Sequence, residues 1–384
     1  MRIAFVHDYL VQYGGAERVL ECLTELYPYA PIYTILHNKD AMHGVFEDKR
    51  IYTSYLQNFP FARRWHRIFP LLMPPAIEQF DFSNYDVVVS DSSSYAKGII
   101  TGPNTLHICY MHTPMRYAWD DCQKYTRDFY FPHLVKKLIP FAMNYIRLWD
   151  KVSADRVDVF IANSNFVARR IKKYYHKDSI VIHPPVDTNN FSVQVSNSNE
   201  NPPRVDERTS SRVEAGFFLM VGRLIAYKRH SVAIRAFNEM KLPLKIIGRG
   251  PELKRLQKIA GPTIEFLGRV DDEQLKKHYA ECQAVIFPQE EDFGIVAIEA
   301  LASGKPLIAF RGGDIPEHME EGKMGVFFDK QNSEDIIDAV QRFEKLSFDA
   351  NYIRSKVLKF DREIFKEKMK TFIESRVEEH KNQL

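Results

Sequence analysis

Residues 284–310 read AVIFPQEEDFGIVAIEALASGKPLIAF. An apolar run at 284–288 ends in proline, an acidic turn follows, and a small-residue apolar segment runs from Gly294 to Ser303. After Gly304 a second apolar run occupies 306–310. The pattern is strand, helix, strand, the repeating unit of a parallel α/β sheet. Outward from this unit the same alternation continues, with strands expected at 217–222, 244–248, 264–268 and 325–328. Helical periods lie between them at 228–240, 251–260, 271–281, 294–303 and 333–346. The first half repeats the scheme: 2–7, 85–91, 106–112, 157–164 and 179–183 read as buried parallel strands, with helical periods at 16–26 and 165–175.

Between the halves, residues 192–214 are polar and carry Pro202-Pro203, with little to bury, so a loop is expected there. Pro184-Pro185 just before it suits a stiff connection. At 384 residues the chain exceeds what one core usually serves. The expected division is a domain over 1–187, a second over 188–359, and a charged tail of helical period to residue 384. Two such halves joined by a hinge would face each other across a cleft at the carboxyl ends of their sheets, where ligands of open α/β folds bind.

Composition narrows the classes. The net charge of +3 provides no global field for nucleic acid. Cys22, Cys109, Cys122 and Cys282 are scattered, without a C-x-x-C pair, which fits reduced thiols and a cytoplasmic setting. The opening MRIAFVHDYL is interrupted too soon for a secretory leader, and no run is long enough to span a bilayer.

The chemistry concentrates at the expected strand ends. Glu291 and Glu299 stand eight apart, and between them Phe293-Gly294 opens a helix after a strand. Free N–H groups and the positive dipole end at such a helix start suit a diphosphate. Glu299 is then placed for ribose hydroxyls and Glu291 for the sugar; the bland alternative is a capped helix with a solvated acidic face. In VGRLIAYKR, residues 221–229, Arg223 and Lys228 follow a strand and can neutralise a diphosphate leaving group, the alternative being surface ion pairs. Gly14-Gly15 between the first strand and its helix allow close approach of a phosphate or sugar, or simply a tight connection. His112, in CYMHTPMRYAWDD, ends a central strand beside Arg116, Trp119 and Asp120, where it can hydrogen-bond a transferring sugar or stabilise positive charge. The G-x-G of GRGPEL lacks the third glycine of a dinucleotide fingerprint, and no P-loop is present. No D-x-D spacing exists for a divalent metal bridge, so no metal or other cofactor is expected and the two cations and the helix dipole would replace it.

Taken together, GGAER, the strand-end histidine, VGRL-x3-KR, GRGPEL, FLGRV and E-x7-E resemble the retaining glycosyltransferases of family 4, with the GT-B fold, over nearly the whole chain. The resemblance implies an acceptor domain followed by a nucleotide-sugar donor domain, and a C-terminal helix, about 360–384, that returns to the first. It implies that Arg223 and Lys228 bind the donor diphosphate and that Arg249 belongs to the donor site. It further assigns the helix start of Phe293, Gly294 and Ile295 to the donor, Glu299 to the ribose, the backbone near Val270 to the base, Gly15 to the phosphates, and Gly14 beside it to the donor site. Catalysis would involve His112, Glu291, Arg223 and Lys228, with attack on the face from which the leaving group departs and no protein nucleophile. Pro184-Pro185 stand where the family more often has Asn-Gly.

The CYMHTPMRYAWD segment resembles the subgroup of O-antigen and exopolysaccharide mannosyltransferases. That implies a hexose donor such as GDP-mannose and a saccharide or polyprenyl-linked saccharide acceptor in cell-surface polysaccharide or lipopolysaccharide synthesis. Residues 59–72 place Phe61, Trp65, Ile68 and Leu72 on one helical face beside Arg63, Arg64 and Arg67, a pattern suited either to an anionic membrane surface or to packing on the first domain. Competing readings are a GT-B phosphorylase or epimerase, and a nucleotide-sugar-binding subunit without activity.

Overall fold

The computed structural model describes residues 1–60, 70–120, 133–191 and 216–383, the side chains of 133–136 excepted. The polar stretch 192–214, Cys122 and residues 61–69 of the basic amphipathic segment lie outside the described residues.

The chain divides into two compact units, residues 1–185 with 362–384, and residues 186–361. The N-terminal unit holds seven parallel strands: β1 (Ile3–Leu10), β2 (Ile32–His37), β3 (Ile51–Thr53), β4 (Val87–Ser92), β5 (Leu106–Met111), β6 (Val159–Ala162) and β7 (Ser179–Val181). Their order is β3-β2-β1-β4-β5-β6-β7. The helices are α1 (Gly15–Leu26), α2 (Met73–Glu78), α3 (His133–Ala154) and α4 (Asn165–Tyr175). Strands β4 and β5 are buried at every residue, as central parallel strands covered on both faces must be. Strands β2 and β3 were not anticipated; β3 is a three-residue edge whose side chains are only partly covered, so its sequence carries no buried run.

The second unit holds β8 (Phe218–Val221), β9 (Leu244–Ile247), β10 (Ile264–Gly268), β11 (Val285–Phe287), β12 (Leu307–Phe310) and β13 (Gly325–Phe328), ordered β10-β9-β8-β11-β12-β13 and again parallel. Its helices are α5 (His230–Met240), α6 (Leu253–Ile259), α7 (Asp272–Glu281), α8 (Ile295–Ala302), α9 (Ser333–Phe343) and α10 (Ala350–Val357). The chain enters and leaves this unit side by side: Val186 bridges to Asp361, and Val186 N–H donates to Phe360 O at 2.9 Å. Arg354 locks this corner by donating to the carbonyls of Thr188, Phe191 and Ala302 at 2.8, 2.7 and 2.6 Å.

The last helix, α11 (Arg362–Gln383), belongs to the N-terminal unit. Phe365, Met369, Ile373 and Val377, one residue per turn, are buried in the core formed by β1, β4, β5 and α1. Burying such a stripe is what holds an otherwise charged helix in place.

In each sheet the chain reverses its direction of winding beside the first strand, between β1 and β4 and between β8 and β11. At such a reversal the flanking connections diverge to opposite faces and leave a crevice at the carboxyl ends of the strands.

Candidate functional site

In the second unit the crevice is built by three loops. The first leaves β8 through Gly222, whose φ is 149°. The second is GRG, 248–250: a Cβ at Gly248 would stand 1.8 Å from the Gly222 carbonyl oxygen, and one at Gly250 2.3 Å from that of Leu224. These glycines let two backbones touch, and Leu224 N–H donates to Arg249 O at 2.9 Å while Gly248 N–H donates to Gly268 O at 2.7 Å. Their role is thus to lock the loops after β8, β9 and β10 together. Arg223 and Arg249 emerge from this rigid ledge exposed to solvent. Val270 lies partly buried beyond β10.

The third loop follows β11. Gly294, at φ 83°, caps α8, and a Cβ there would collide with Ile315 Cδ1 at 2.8 Å. Only glycine takes this turn without strain. The N–H groups of Ile295 and Val296 then have no intrahelical acceptor, as in the first turn of any α-helix. Phe293 is buried beneath, packed on Phe360. Glu291 is fixed from behind: Gly313, at φ 70°, brings its Cα so close that a Cβ would lie 2.2 Å from the Glu291 carbonyl oxygen, and Asp314 N–H donates to that oxygen at 3.1 Å. Lys228 comes from a single 3-10 turn, Ala226–Lys228, and pairs with the Glu291 carboxylate with both side chains mostly covered. Two residues 63 apart in sequence are thereby joined. Glu299, in the second turn of α8, is 2% exposed and accepts from the Tyr279 hydroxyl at 3.3 Å.

The second unit therefore gathers Arg223, Lys228, Glu291, Gly294 and Glu299 around the carboxyl ends of β8 and β11. Cations, free helix N–H groups and two carboxylates at one edge can hold a diphosphate with polyhydroxyl groups on either side.

The N-terminal unit carries a different constellation at its own reversal. His112 directly follows β5, and its Nε2 lies 2.5 Å from Asp91 Oδ1 at the end of β4. The other oxygen of Asp91 is 2.8 Å from His7 Nδ1, and His7 Nε2 lies 3.5 Å from Glu17 Oε1 in the first turn of α1. The register of β1 on β4 sets His7 directly opposite Asp91. Burial alone would lower the pKa of His7, but hydrogen bonds and charge from Asp91 and Glu17 overrule it and hold it at about 10. His7 is a cation at neutral pH, donating from both ring nitrogens. Burial would raise Asp91, yet the His112 and His7 rings keep its carboxyl below the usual range. Asp91 thus stays ionised, and its short contact with Nε2 fixes the orientation of the His112 ring.

Two features of this unit bear on the expectations for it. Gly14 and Gly15 do open α1, but the first turn of that helix already holds the Glu17 carboxylate against His7, which disfavours a phosphate at the same place. The polar-aromatic neighbours of His112 are committed to the fold: Trp119 donates to Asp150 at 2.7 Å and stacks on Tyr174, and Asp120 is held by Arg170 and Tyr174. Asp150 in turn pairs with the fully buried Lys97 at 2.5 Å.

Sequence reasoning missed His7, Asp91, Glu17 and Tyr279. The signal for the first three was present as polar residues on buried strands or opening a helix, in FVHDYL, VVVSDS and GGAER. Their partnership is visible only once β1 and β4 are paired.

Comparison with known proteins agrees with this architecture. The family described as glycosyl transferases group 1 matches residues 204–359, and glycosyltransferase family 4 matches residues 13–190. The GDP-mannose-dependent alpha-(1-6)-phosphatidylinositol monomannoside mannosyltransferase of Mycolicibacterium smegmatis is 27% identical over 228 residues, 53% of this chain and 56% of that one. O-antigen chain mannosyltransferase C of Escherichia coli is 28% identical over 195 residues, 48% of this chain and 50% of its own. The chain spans about half the length of the curated relatives it matches. Among solved structures, Anabaena HepE in complex with UDP superposes with a TM-score of 0.69 at 16% identity, over 98% of this chain and 100% of that one, which gives the GT-B fold. With a matching family over each half and that fold throughout, the chain belongs to the family 4, group 1 glycosyltransferases.

Proposed function

We propose that the protein is a retaining hexosyltransferase that moves mannose from a nucleotide-diphosphate donor, GDP-mannose favoured, to a saccharide or lipid-linked saccharide of a cell-surface polysaccharide or lipopolysaccharide. The observation that carries this reading is the convergence of Arg223, Lys228, Glu291 and the α8 N-terminus at the reversal point of the second sheet. Mannose is favoured because two similar proteins are mannosyltransferases by name and one depends on GDP-mannose.

In this reading Arg223 and Lys228 hold the diphosphate, and the N–H groups of Ile295 and Val296 donate to its oxygens. Lys228 exchanges its bond to Glu291 for one to phosphate, which frees the Glu291 carboxylate for sugar hydroxyls. As the bond from the anomeric carbon to the phosphate oxygen breaks, charge grows on that oxygen, and preorganised cations stabilise it. The acceptor oxygen bonds the anomeric carbon on the face just vacated, and its proton passes to the departing phosphate. Configuration is retained without a protein nucleophile, and Arg223, Lys228 and the helix dipole provide the charge that a metal would otherwise supply. Glu299, buried and oriented by Tyr279, is assigned to the ribose.

A thermal-shift panel of GDP, UDP, ADP and their hexose conjugates, with and without EDTA, tests the donor assignment, since a ligand that binds only the folded state raises Tm. Stabilisation by GDP and GDP-mannose, insensitive to EDTA, is expected; UDP belongs in the panel because HepE holds it. Anomeric NMR of the product checks retention, and an inverted product would overturn the mechanism.

A further inference from the structure

Four ionisable side chains run in one line through the N-terminal unit: Glu17, His7, Asp91 and His112. The side chains of Glu17, His7 and Asp91 are 6%, 4% and 0% exposed, and only that of His112, at 12%, opens toward the carboxyl edge of the sheet. Both oxygens of Asp91 are engaged, Oδ2 by His7 Nδ1 at 2.8 Å and Oδ1 by His112 Nε2 at 2.5 Å. A carboxylate held at one oxygen can still turn about its last bond. Held at both, by groups on neighbouring strands, it cannot. The His7 ring is fixed in the same way, with Asp91 at one nitrogen and Glu17 Oε1 3.5 Å from the other. On the far side Tyr110, opposite Asp91 in the register of β4 on β5, packs edge-on against the His112 ring with centroids 5.2 Å apart. The Tyr110 hydroxyl donates to Ile182 O at 2.9 Å.

Stability is a weak reason for such a line. Two carboxylates and a cation buried together give up their hydration, and apolar side chains of similar volume serve a core as well or better. What apolar packing cannot do is fix the direction of an imidazole at the edge of a crevice. A carboxylate on one ring nitrogen does that, and groups that hold the carboxylate share in it.

We propose that His7 and Glu17 are positioning residues for glycosyl transfer, acting in series through Asp91 to fix the ring of His112. The proposal rests on the reading of His112 as a residue that meets the transferring sugar. The test follows release of GDP from GDP-mannose with water as the acceptor: the bond from the anomeric carbon to the phosphate oxygen breaks, the water oxygen takes its place, and the water proton passes to GDP. The full chain is compared with His7→Leu, Glu17→Gln, the two combined, His7→Gln and His112→Ala. The rise in Tm caused by GDP checks folding and donor binding in each. Nitrogen NMR of the His112 ring, identified by its loss in His112→Ala, reports the ring's surroundings without turnover.

The expected result is a kcat lowered roughly 10- to 100-fold by His7→Leu and less by Glu17→Gln, with KM for GDP-mannose and the GDP-induced rise in Tm as in the parent. Because Glu17 acts through His7, the combined variant should lose no more than His7→Leu alone. His7→Gln, whose amide can donate to Asp91, should recover most of the rate, and the His112 ring signals should move in His7→Leu. Glu17→Gln, one step farther from the ring, keeps the comparison open if His7→Leu does not fold. Parental kcat in His7→Leu and Glu17→Gln, with His112→Ala slowed by about two orders of magnitude, would overturn the proposal and leave the role of His112 standing. Parental turnover by His112→Ala would remove both. Losses that multiply in the combined variant, or a His112 ring signal identical in parent and His7→Leu, would also overturn it, since groups acting in series can give neither.

Discussion

The Glu17–His7–Asp91–His112 chain makes a measurable claim about stability. Replacing His7 and Glu17 together by glutamine removes one buried cation and one buried anion, so the net charge of the cluster is unchanged and Asp91 keeps His112. What disappears is a histidine whose pKa rises from 6.5 when unfolded to about 10 in the fold. A raised folded value contributes stability that is fully present below pH 6.5 and lost as pH climbs through 10. At 1.36 kcal/mol per pKa unit, the linkage relation gives a contribution that shrinks by about 2.5 kcal/mol between pH 7 and 9. For a unit of about 200 residues this corresponds to roughly 5–10 °C in Tm.

The assay is the difference in Tm between parent and double variant, recorded by circular dichroism at pH 7, 8 and 9, so that lysine and tyrosine titrations common to both proteins cancel. The parent should lead at pH 7 and lose most of its lead by pH 9. A difference that stays constant over this range would refute a protonated His7 and, with it, the assignment of Asp91 as an ionised acceptor for His112.

Lys228→Ala and Arg223→Ala should each lower kcat by about two to three orders of magnitude, the range for removing one preorganised charge donor; near-parental turnover in both would remove the diphosphate assignment. Asp91→Asn presents His112 with an amide, so the orientation of the ring is no longer fixed, and kcat should fall with little change in Tm shift by the nucleotide diphosphate alone. Gly313→Ala places a methyl group against the Glu291 carbonyl and should cost about 1–3 kcal/mol of stability in the second unit together with donor affinity; unfolding by urea with unaltered midpoint would contradict the close approach. Lys97→Met strands Asp150 in the core, where breaking a buried pair costs about 3–5 kcal/mol, and a loss below about 1 kcal/mol would argue that the hydrogen bonds Asp150 accepts from Trp119 and from the Tyr175 hydroxyl, the latter at 2.8 Å, suffice to hold it.

Much of this molecule was written locally. Strands β8 to β13 and the helices between them follow from runs such as AVIFP and PLIAF, because a parallel strand covered on both faces must be apolar along its length. Gly294, Glu291, Glu299, Arg223 and Lys228 could be singled out because a glycine turn between strand and helix, with charged residues at its edge, has a chemical meaning over a few residues of chain.

The tertiary structure decided the partnerships. Lys228 meets Glu291, and His7 meets Asp91, because strands distant in sequence lie beside each other in the sheets; the strand register, not local propensity, fixes which side chains share a few ångströms. It also reassigned residues whose local pattern was ambiguous. The glycines of GRG serve contact between two backbones, and Trp119 and Asp120 serve the packing of the N-terminal unit. Local sequence reports what a residue can do; burial and the neighbours gathered by long-range pairing determine which of those capacities is used, because the electrostatics of a buried group depend on every charge within a few ångströms of it, wherever in the chain that charge arises.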